Sequence, residues 1–308
     1  MQNVFLDSAR AERKRGNRIM YHNLKELLQQ AEDHEVLLSE IVLQNEAEQF
    51  NITKEGIYQK LEERYEVMER AAVRALGERL ETAGNLISGI AMQQNEYTRK
   101  GQTLCGEFIN TAMAMALSGS EVNASMGRIC AAPTAGACGI VPAVLISIER
   151  VKNCSKRAML NAILTSSGIG TIMMKNATIA GAEGGCQAEC GVAAAMAAAA
   201  GVELCGGTPR QSVWAAVLAL VNCMGLVCDP IAGLVQVPCA QRNASQTVNA
   251  LTCIDLAMAG MTLPVTPDEV VEAMYKVGRM LPPQLRETAQ GGLAATQSAQ
   301  EIQKKIFS

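Results

Sequence analysis

The stretch that decides the fold of this chain is Val192-Ala193-Ala194-Ala195-Met196-Ala197-Ala198-Ala199-Ala200-Gly201-Val202. It has no polar side chain on any face, and such a segment is typical of a helix that is buried all round. A second apolar stretch, residues 213–228, has a similar character. Both are too short or too interrupted to cross a bilayer. They therefore predict buried helices and no membrane association.

The composition around these stretches favours an all-α fold. Aromatic residues are scarce (one Trp, four Phe and five Tyr), and strands prefer the aromatic and β-branched residues that this chain uses sparingly. From Gly101 onward the chain is rich in Ala, Gly, Cys and Met and poor in charge. Further buried helices are predicted over residues 106–118, 155–166, 213–224 and 245–259.

The charged first hundred residues also have helical spacing. Ile57, Leu61, Tyr65 and Met68 lie on one face after a candidate N-cap at Thr53. Near the C-terminus, Thr266-Pro267-Asp268-Glu269 has the pattern of a capping box and predicts a helix to about Arg279. We predict a polar N-terminal extension over residues 1–20 and a single large helical domain over residues 21–308.

Charge and histidine content exclude several classes of function. The 27 basic and 30 acidic residues give a net charge of −3 without a single-sign block, which argues against nucleic-acid and membrane-surface binding. The two histidines, His22 and His34, lie in charged surroundings and are predicted at the surface. A Ser-His-Asp or Cys-His nucleophile in the core is thereby excluded, and a zinc hydrolase is disfavoured.

The cysteine content indicates a reducing compartment. The chain has 11 cysteines, an odd number, and residues 1–17 have no apolar core of the kind that a secretory signal needs. We therefore expect reduced thiols in the cytoplasm and no disulfide framework.

Three cysteines stand in Gly/Pro-rich settings: Cys186, Cys228 and Cys239. Thiolates on loops, with few histidines to compete, favour iron–sulfur chemistry. Buried cysteine is also a common small hydrophobe, and the spacing alone leaves both interpretations open. Core packing is the prediction for the cysteines in less distinctive settings, namely Cys105, Cys130, Cys154, Cys205, Cys223 and Cys253.

A loop before the apolar core has the composition of an anion site. In Ala131-Ala132-Pro133-Thr134-Ala135-Gly136-Ala137-Cys138-Gly139 the glycines allow several backbone N–H groups to point at one anion. With the Thr134 hydroxyl, the loop segment Thr134, Ala135 and Gly136 would suit a carboxylate. The alternative is a tight turn between packed helices, which the pattern alone favours.

Four further polar residues in or near the core are candidates for the site. Arg242 clamps a carboxylate, caps a helix or pairs with an acid, and Asn243 follows it directly as a second candidate for substrate binding. Lys175 is a general base if it is desolvated, although a surface lysine is the simpler interpretation. Ser125 precedes the Pro133 loop and is a candidate to line the same cavity.

At these residues the chain resembles the iron–sulfur-dependent L-serine dehydratases, specifically the α chain of the two-chain bacterial form. Several long motifs occur in the same order, which is far more specific than any one of them. They are Ser125-Met126-Gly127-Arg128-Ile129, Pro133-Thr134-Ala135-Gly136, Glu183-Gly184-Gly185-Cys186-Gln187-Ala188-Glu189, Cys228-Asp229-Pro230, Gly233-Leu234-Val235-Gln236-Val237-Pro238-Cys239, Arg242-Asn243-Ala244, Leu285-Arg286-Glu287-Thr288 and Gly291-Gly292-Leu293-Ala294-Ala295-Thr296.

The resemblance implies a helical catalytic domain with a [4Fe–4S] cluster bound by Cys186, Cys228 and Cys239, and it assigns no ligand role to Cys190. Three ligands imply one iron that is open to substrate, and a lyase that converts L-serine to pyruvate and ammonia. Some single-chain relatives end in a cysteine that reaches the fourth iron, whereas this sequence ends in Ser308. The substrate-handling domain of the single-chain members is also missing, so we expect a separate β chain. The base stays open between Lys175, Ser125 and a β-chain group.

Three rival functions follow from the same residues. A cysteine desulfidase would use a similar cluster on a leaving sulfur. A pyridoxal-phosphate lyase is disfavoured because no Ser-x-Lys-x-Arg-Gly type of lysine motif is present. A cluster-binding scaffold that senses oxygen or iron is the non-enzymatic alternative.

Overall fold

The structure is a computed structural model that describes residues 21–307, and its architecture is all-α, as predicted. The predicted polar extension, residues 1–20, lies outside the described residues. Within residues 21–307 there are 13 α-helices and no strand beyond one isolated bridge. The helices are α1 (Leu24–Asp33), α2 (Leu38–Phe50), α3 (Lys54–Arg74), α4 (Ile90–Arg99), α5 (Gly106–Ala124), α6 (Ile140–Lys152), α7 (Lys156–Asn176), α8 (Gly181–Gly184), α9 (Val192–Leu204), α10 (Pro209–Val221), α11 (Cys239–Met258), α12 (Pro267–Met280) and α13 (Gln297–Phe307).

The alanine-rich helix α9 forms the centre of the core. Every residue from Val192 to Val202 is buried, and α9 packs against α6, α7, α10 and α11. Small side chains allow these close approaches: a Cβ added at Gly201 would overlap the Ile254 side chain of α11. The prediction of a helix that is buried on all faces is confirmed.

The other predicted helices exist, but their ends differ where tertiary contacts decide them. Helix α10 begins at Pro209 rather than at residue 213, because Thr208 and Gln211 form a capping box ahead of it. Helix α11 begins at Cys239, six residues before the predicted start, since its polar first turns are buried against neighbouring loops. The caps at Thr53 and Thr266 are confirmed.

The surface prediction for the two histidines is confirmed, whereas the core prediction for one cysteine is not. His22 and His34 are exposed. Cys105 was expected in the core and this was wrong: it is exposed, because it caps the N-terminus of α5 instead of lying within a buried helix face. Among the described helices, none combines the length and the apolar character that a membrane crossing requires.

A buried carboxylate joins the loop between α3 and α4 to helix α5. Glu121 is fully buried, and its side chain accepts hydrogen bonds from the backbone N–H groups of Leu80 (3.0 Å), Gly89 (2.6 Å) and Ala91 (3.3 Å). Buried backbone donors need such an acceptor because water cannot reach them.

We expect the substitution Glu121→Ala to lower the free energy of unfolding by about 2–4 kcal/mol, since it leaves buried donors without a partner. Urea denaturation followed by circular dichroism measures this loss. The matched control is Glu78→Ala, which removes an exposed partner of Arg74 and should cost less than about 1 kcal/mol. Equal losses in the two variants would show that the Glu121 hydrogen bonds contribute little.

Candidate metal centre

The structure places the three predicted cysteines on three separate segments that meet at one side of the helical core. Cys186 directly precedes a π-helical turn, Gln187–Gly191, that leads into α9. Cys228 lies on the loop after α10, and Cys239 is the first residue of α11. Their exposed fractions are only 1 %, 1 % and 6 %. Turns of the π type are rare in proteins, and those that occur are often located at functional sites.

Gln187 and Gly185 hold the Cys186 turn in place. The fully buried Gln187 side chain donates to Met274 O of α12 (3.0 Å) and accepts from Gly225 N (2.9 Å). Gly185 has a φ of +75°, and a Cβ there would lie 2.8 Å from Leu226 O. The Gly-Cys-Gln order is therefore required by the close approach of the Cys186 turn to the Cys228 loop.

The C-terminal motifs hold the Cys228 loop. Cys228 N donates to Leu285 O (2.9 Å), and Glu287 N donates to Cys228 O (2.7 Å). Next to it, the Asp229 carboxylate accepts from Arg242 Nη2 and from Leu293 N, both at 2.7 Å. The loops on either side of residue 290 thus line the cysteine site.

The sulfur atoms are close enough for each thiol to change the pKa of its neighbours. The sulfurs of Cys186 and Cys190 are hydrogen-bonded at 3.4 Å. Hydrogen bonds from Cys190 and Cys228, and then the Arg242 charge, hold the pKa of Cys186 well below its usual range. The pKa of Cys228 is raised by its hydrogen bond to Cys186 and by burial. Burial, followed by the negative charge of Cys186, raises the pKa of Cys239 to about 12.

Two acids to which no role was assigned from the sequence, Glu189 and Glu287, complete the site. Burial, then the charges of Glu287 and Cys186, raise the pKa of Glu189 to about 8. Burial also raises the pKa of Glu287, with the Cys186 charge as the next cause. Both residues lie within the motifs quoted above. An acidic residue in an otherwise apolar, Gly-rich segment is the sequence feature that could have identified them as site residues.

The Pro133 loop lies beside this site, and its residues differ in their burial and in their contacts with Glu189. The Thr134 hydroxyl is buried and has no well-aligned hydrogen-bond partner, although a side-chain hydrogen-bond interaction with Glu189 lowers the pKa of that carboxyl. Gly136 faces the same carboxylate: a Cβ there would lie 3.5 and 3.6 Å from its two oxygens. Ala135 is exposed.

Asn243 ties the Pro133 loop to α11. Its side chain accepts from Gly139 N (3.0 Å) and donates to Gly136 O (2.7 Å) and Cys239 O (2.8 Å). Both donor hydrogens are used within the protein. The structure therefore gives Asn243 a positioning role, in which it links the loop to the Cys239 turn.

Arg242 is at the site, but its terminal nitrogens are engaged. Nη1 donates to Val227 O (2.8 Å) and Nη2 to Asp229 (2.7 Å). Of the three interpretations from the sequence, the structure shows the pairing with an acid. Arg242 also acts on Cys186, through its positive charge and through a side-chain hydrogen bond.

The two candidate bases lie in other surroundings. Lys175 is half-buried on the last turn of α7, where its charge acts on Glu46 and lowers a pKa that burial raises to about 7. Ser125 follows α5 and donates to Val122 O (2.9 Å). The groups that act most strongly on the three cysteines are Arg242, the two acids and the neighbouring thiols.

This set of donors can hold a metal. One ligand atom each from Cys186, Glu189 and Cys228 lies within 4.8 Å of the others, and Cys239 is near enough for its pKa to respond to the Cys186 charge. Soft thiolates favour iron in clusters, zinc or copper(I). A bound cation would stabilise the thiolate forms of all three cysteines, which would repel one another without it.

Comparisons with known proteins match most of the chain. The sequence model of the family "Serine dehydratase alpha chain" matches residues 33–294. The chain is 45 % identical to the "Probable L-serine dehydratase, alpha chain" of Bacillus subtilis (strain 168), over 94 % of this chain and 96 % of that protein. It is 46 % identical to the "L-serine dehydratase, alpha chain" of Peptoniphilus asaccharolyticus, over 94 % and 99 %. An "L-serine dehydratase" of Haemophilus influenzae is 37 % identical over 89 % of this chain and 61 % of its own length.

Proposed function

The chain belongs to the serine dehydratase alpha chain family, and we propose that it is the catalytic chain of an L-serine ammonia-lyase that converts L-serine to pyruvate and ammonia. Its proposed cofactor is a [4Fe–4S] cluster bound by Cys186, Cys228 and Cys239. The observation that carries the proposal is the meeting of three buried cysteines with an unpartnered, buried Thr134 hydroxyl. This site combines soft metal ligands with a free hydrogen-bond donor for a small polar substrate.

When bound, the cluster supplies a Lewis acid that stabilises the negative charge developing on the departing β-hydroxyl oxygen. The chain's own residues bind and orient. The Thr134 hydroxyl is free to donate to the substrate carboxylate, with the backbone of Ala135 and Gly136 beside it. Asn243 keeps that loop against the Cys239 turn. Arg242 favours the Cys186 thiolate through its charge.

A separate β chain is the second part of the proposal. The two alpha-chain relatives are matched over almost their full length, whereas the Haemophilus influenzae protein extends well beyond the matched part. Lys175 lies beside Glu46 rather than among the groups that act on the cysteines. We propose that the β chain contributes the group that removes the α-proton.

We also propose that the enzyme works in the reducing cytoplasm. All 11 cysteines are free thiols, and thiols that are to bind a cluster must remain reduced. Exposed Cys105 would otherwise be open to oxidation or disulfide exchange.

Anaerobic purification of the chain, alone and together with the β chain, tests the function. We expect equal amounts of iron and sulfide in the protein. We also expect the rate of pyruvate formation from L-serine to be roughly 100-fold or more higher with the β chain than without it, because a general base typically accelerates a reaction by this factor. Full turnover by the isolated, cluster-loaded chain would contradict the β-chain proposal.

The same preparation separates the rival functions. Sulfide release from L-cysteine that exceeds pyruvate release from L-serine would identify a cysteine desulfidase instead. A full cluster without turnover of either amino acid, with the β chain present, would identify a cluster-binding scaffold.

A further inference from the structure

Two carboxylates converge on one point beside the cysteines. A Cβ added at Gly181 would lie 2.7 Å from Glu189 Oε2 and 2.9 Å from Glu287 Oε2. Glu189 is only 8 % exposed, and Glu287 is half-buried. Only a glycine at position 181 leaves room for both carboxylates to approach this point.

No protein cation neutralises this pair within residues 21–307. The Glu189 carboxylate accepts a hydrogen bond from the Cys228 thiol, at a sulfur–oxygen distance of 3.9 Å. The nearby guanidinium of Arg242 forms an ion pair with Asp229 instead. Two carboxylates that share one site repel each other in a water-poor environment, and a cation between them removes this cost.

The protein donors that act on the two carboxylates are uncharged. They are the Cys228 thiol and the Thr134 hydroxyl for Glu189, and the Ala182 backbone N–H for Glu287. An ammonium group brings three N–H donors together with the positive charge that these groups lack.

We propose that Glu189, together with Glu287, binds the α-ammonium group of the substrate and so restricts the site to α-amino acids. This inference rests on the proposed function. An ammonium group offers three donors for charge-assisted hydrogen bonds, and the substrate carboxylate requires a donor of the opposite kind, which Thr134 supplies. The ammonium and hydroxyl groups of L-serine are separated only by its α- and β-carbons, so binding at Glu189 keeps the hydroxyl beside the thiols.

The test uses the cluster-loaded enzyme with its β chain and the isosteric variants Glu189→Gln and Glu287→Gln. The probes are L-serine and L-glycerate, which has a hydroxyl in place of the ammonium group. For Glu189→Gln we expect KM for L-serine to rise roughly 10- to 100-fold, as for a lost charge-assisted hydrogen bond. Inhibition by L-glycerate should be unchanged or stronger. Glu287→Gln should act in the same direction with a smaller effect, because Glu287 is less buried.

Two further measurements are independent of turnover. Iron and sulfide per chain should equal those of the wild type. Saturation-transfer NMR should show that the wild type prefers L-alanine to L-lactate and that Glu189→Gln abolishes the preference. The control is Glu272→Gln, at an exposed position on α12, which should change neither binding nor iron.

Three outcomes would overturn the inference: an unchanged KM for L-serine, an equal loss for L-serine and L-glycerate, or loss of iron in Glu189→Gln. The last would make Glu189 a metal ligand. If the wild type forms no pyruvate but still prefers L-alanine to L-lactate, the proposed function fails and the ammonium site stands.

Discussion

Replacing Cys186, Cys228 or Cys239 with serine is expected to abolish both cluster content and serine turnover in each single variant. A hard hydroxyl is a poor substitute for a soft thiolate on iron. All three side chains are buried, so no solvent-exposed group can replace the lost ligand without rearrangement of the core. Iron and sulfide are measured per chain after purification without oxygen, beside pyruvate formation.

The matched control is Cys253→Ser, at another buried cysteine. Its sulfur is hydrogen-bonded to Asn249 Oδ1 at 3.5 Å, and a serine hydroxyl can keep that bond. We expect a full cluster, and a loss of stability on the order of 1–3 kcal/mol at most. If any of the three site variants keeps a full cluster, that cysteine is not a ligand.

Cys190 decides whether the site is open or closed. Its sulfur lies 3.4 Å from that of Cys186, so it is close enough to the ligand set to be tested with the others. If the fourth iron has no thiolate, Cys190→Ser keeps the cluster. Loss of the cluster in this variant would show a four-thiolate, closed site and contradict the open-iron mechanism.

The second large effect is expected for Asp229→Asn. Asp229 and Arg242 form an ion pair at 2.7 Å with side chains only 5 % and 14 % exposed, and Asp229 also accepts from Leu293 N. Removal of one charge from a buried pair leaves the other charge uncompensated and typically costs about 3–5 kcal/mol. Because Asp229 is next to Cys228, we also expect loss of the cluster. Thermal or urea unfolding and iron content are the measurements.

An exposed ion pair provides the comparison. Glu272 and Lys276 on α12 are paired, but their side chains are 59 % and 66 % exposed. Glu272→Gln should therefore change the free energy of unfolding by no more than about 0.5 kcal/mol. A similarly small change in Asp229→Asn would show that the Asp229–Arg242 pair does not hold the Cys228 loop.

The helices were predictable because they depend on local properties of the chain. The stretch 192–202 has no polar face, and Thr53 and Thr266 have the caps that begin a helix. The start of α11 was not predictable in this way. Its first turns include the polar residues Arg242 and Asn243, whose hydrogen-bond partners lie outside the helix, on the Cys228 loop and the Pro133 loop.

The sequence by itself determined the all-α class and singled out the three cysteines, because these follow from side-chain periodicity and from Gly/Pro-rich settings. Only the tertiary structure decided what surrounds those cysteines. It brings Glu287 to Glu189 across a gap of about a hundred residues, pairs Arg242 with Asp229, and places Lys175 beside Glu46. The physical reason is that helix formation depends on neighbours along the chain, whereas the environment of a buried charge depends on how distant segments pack.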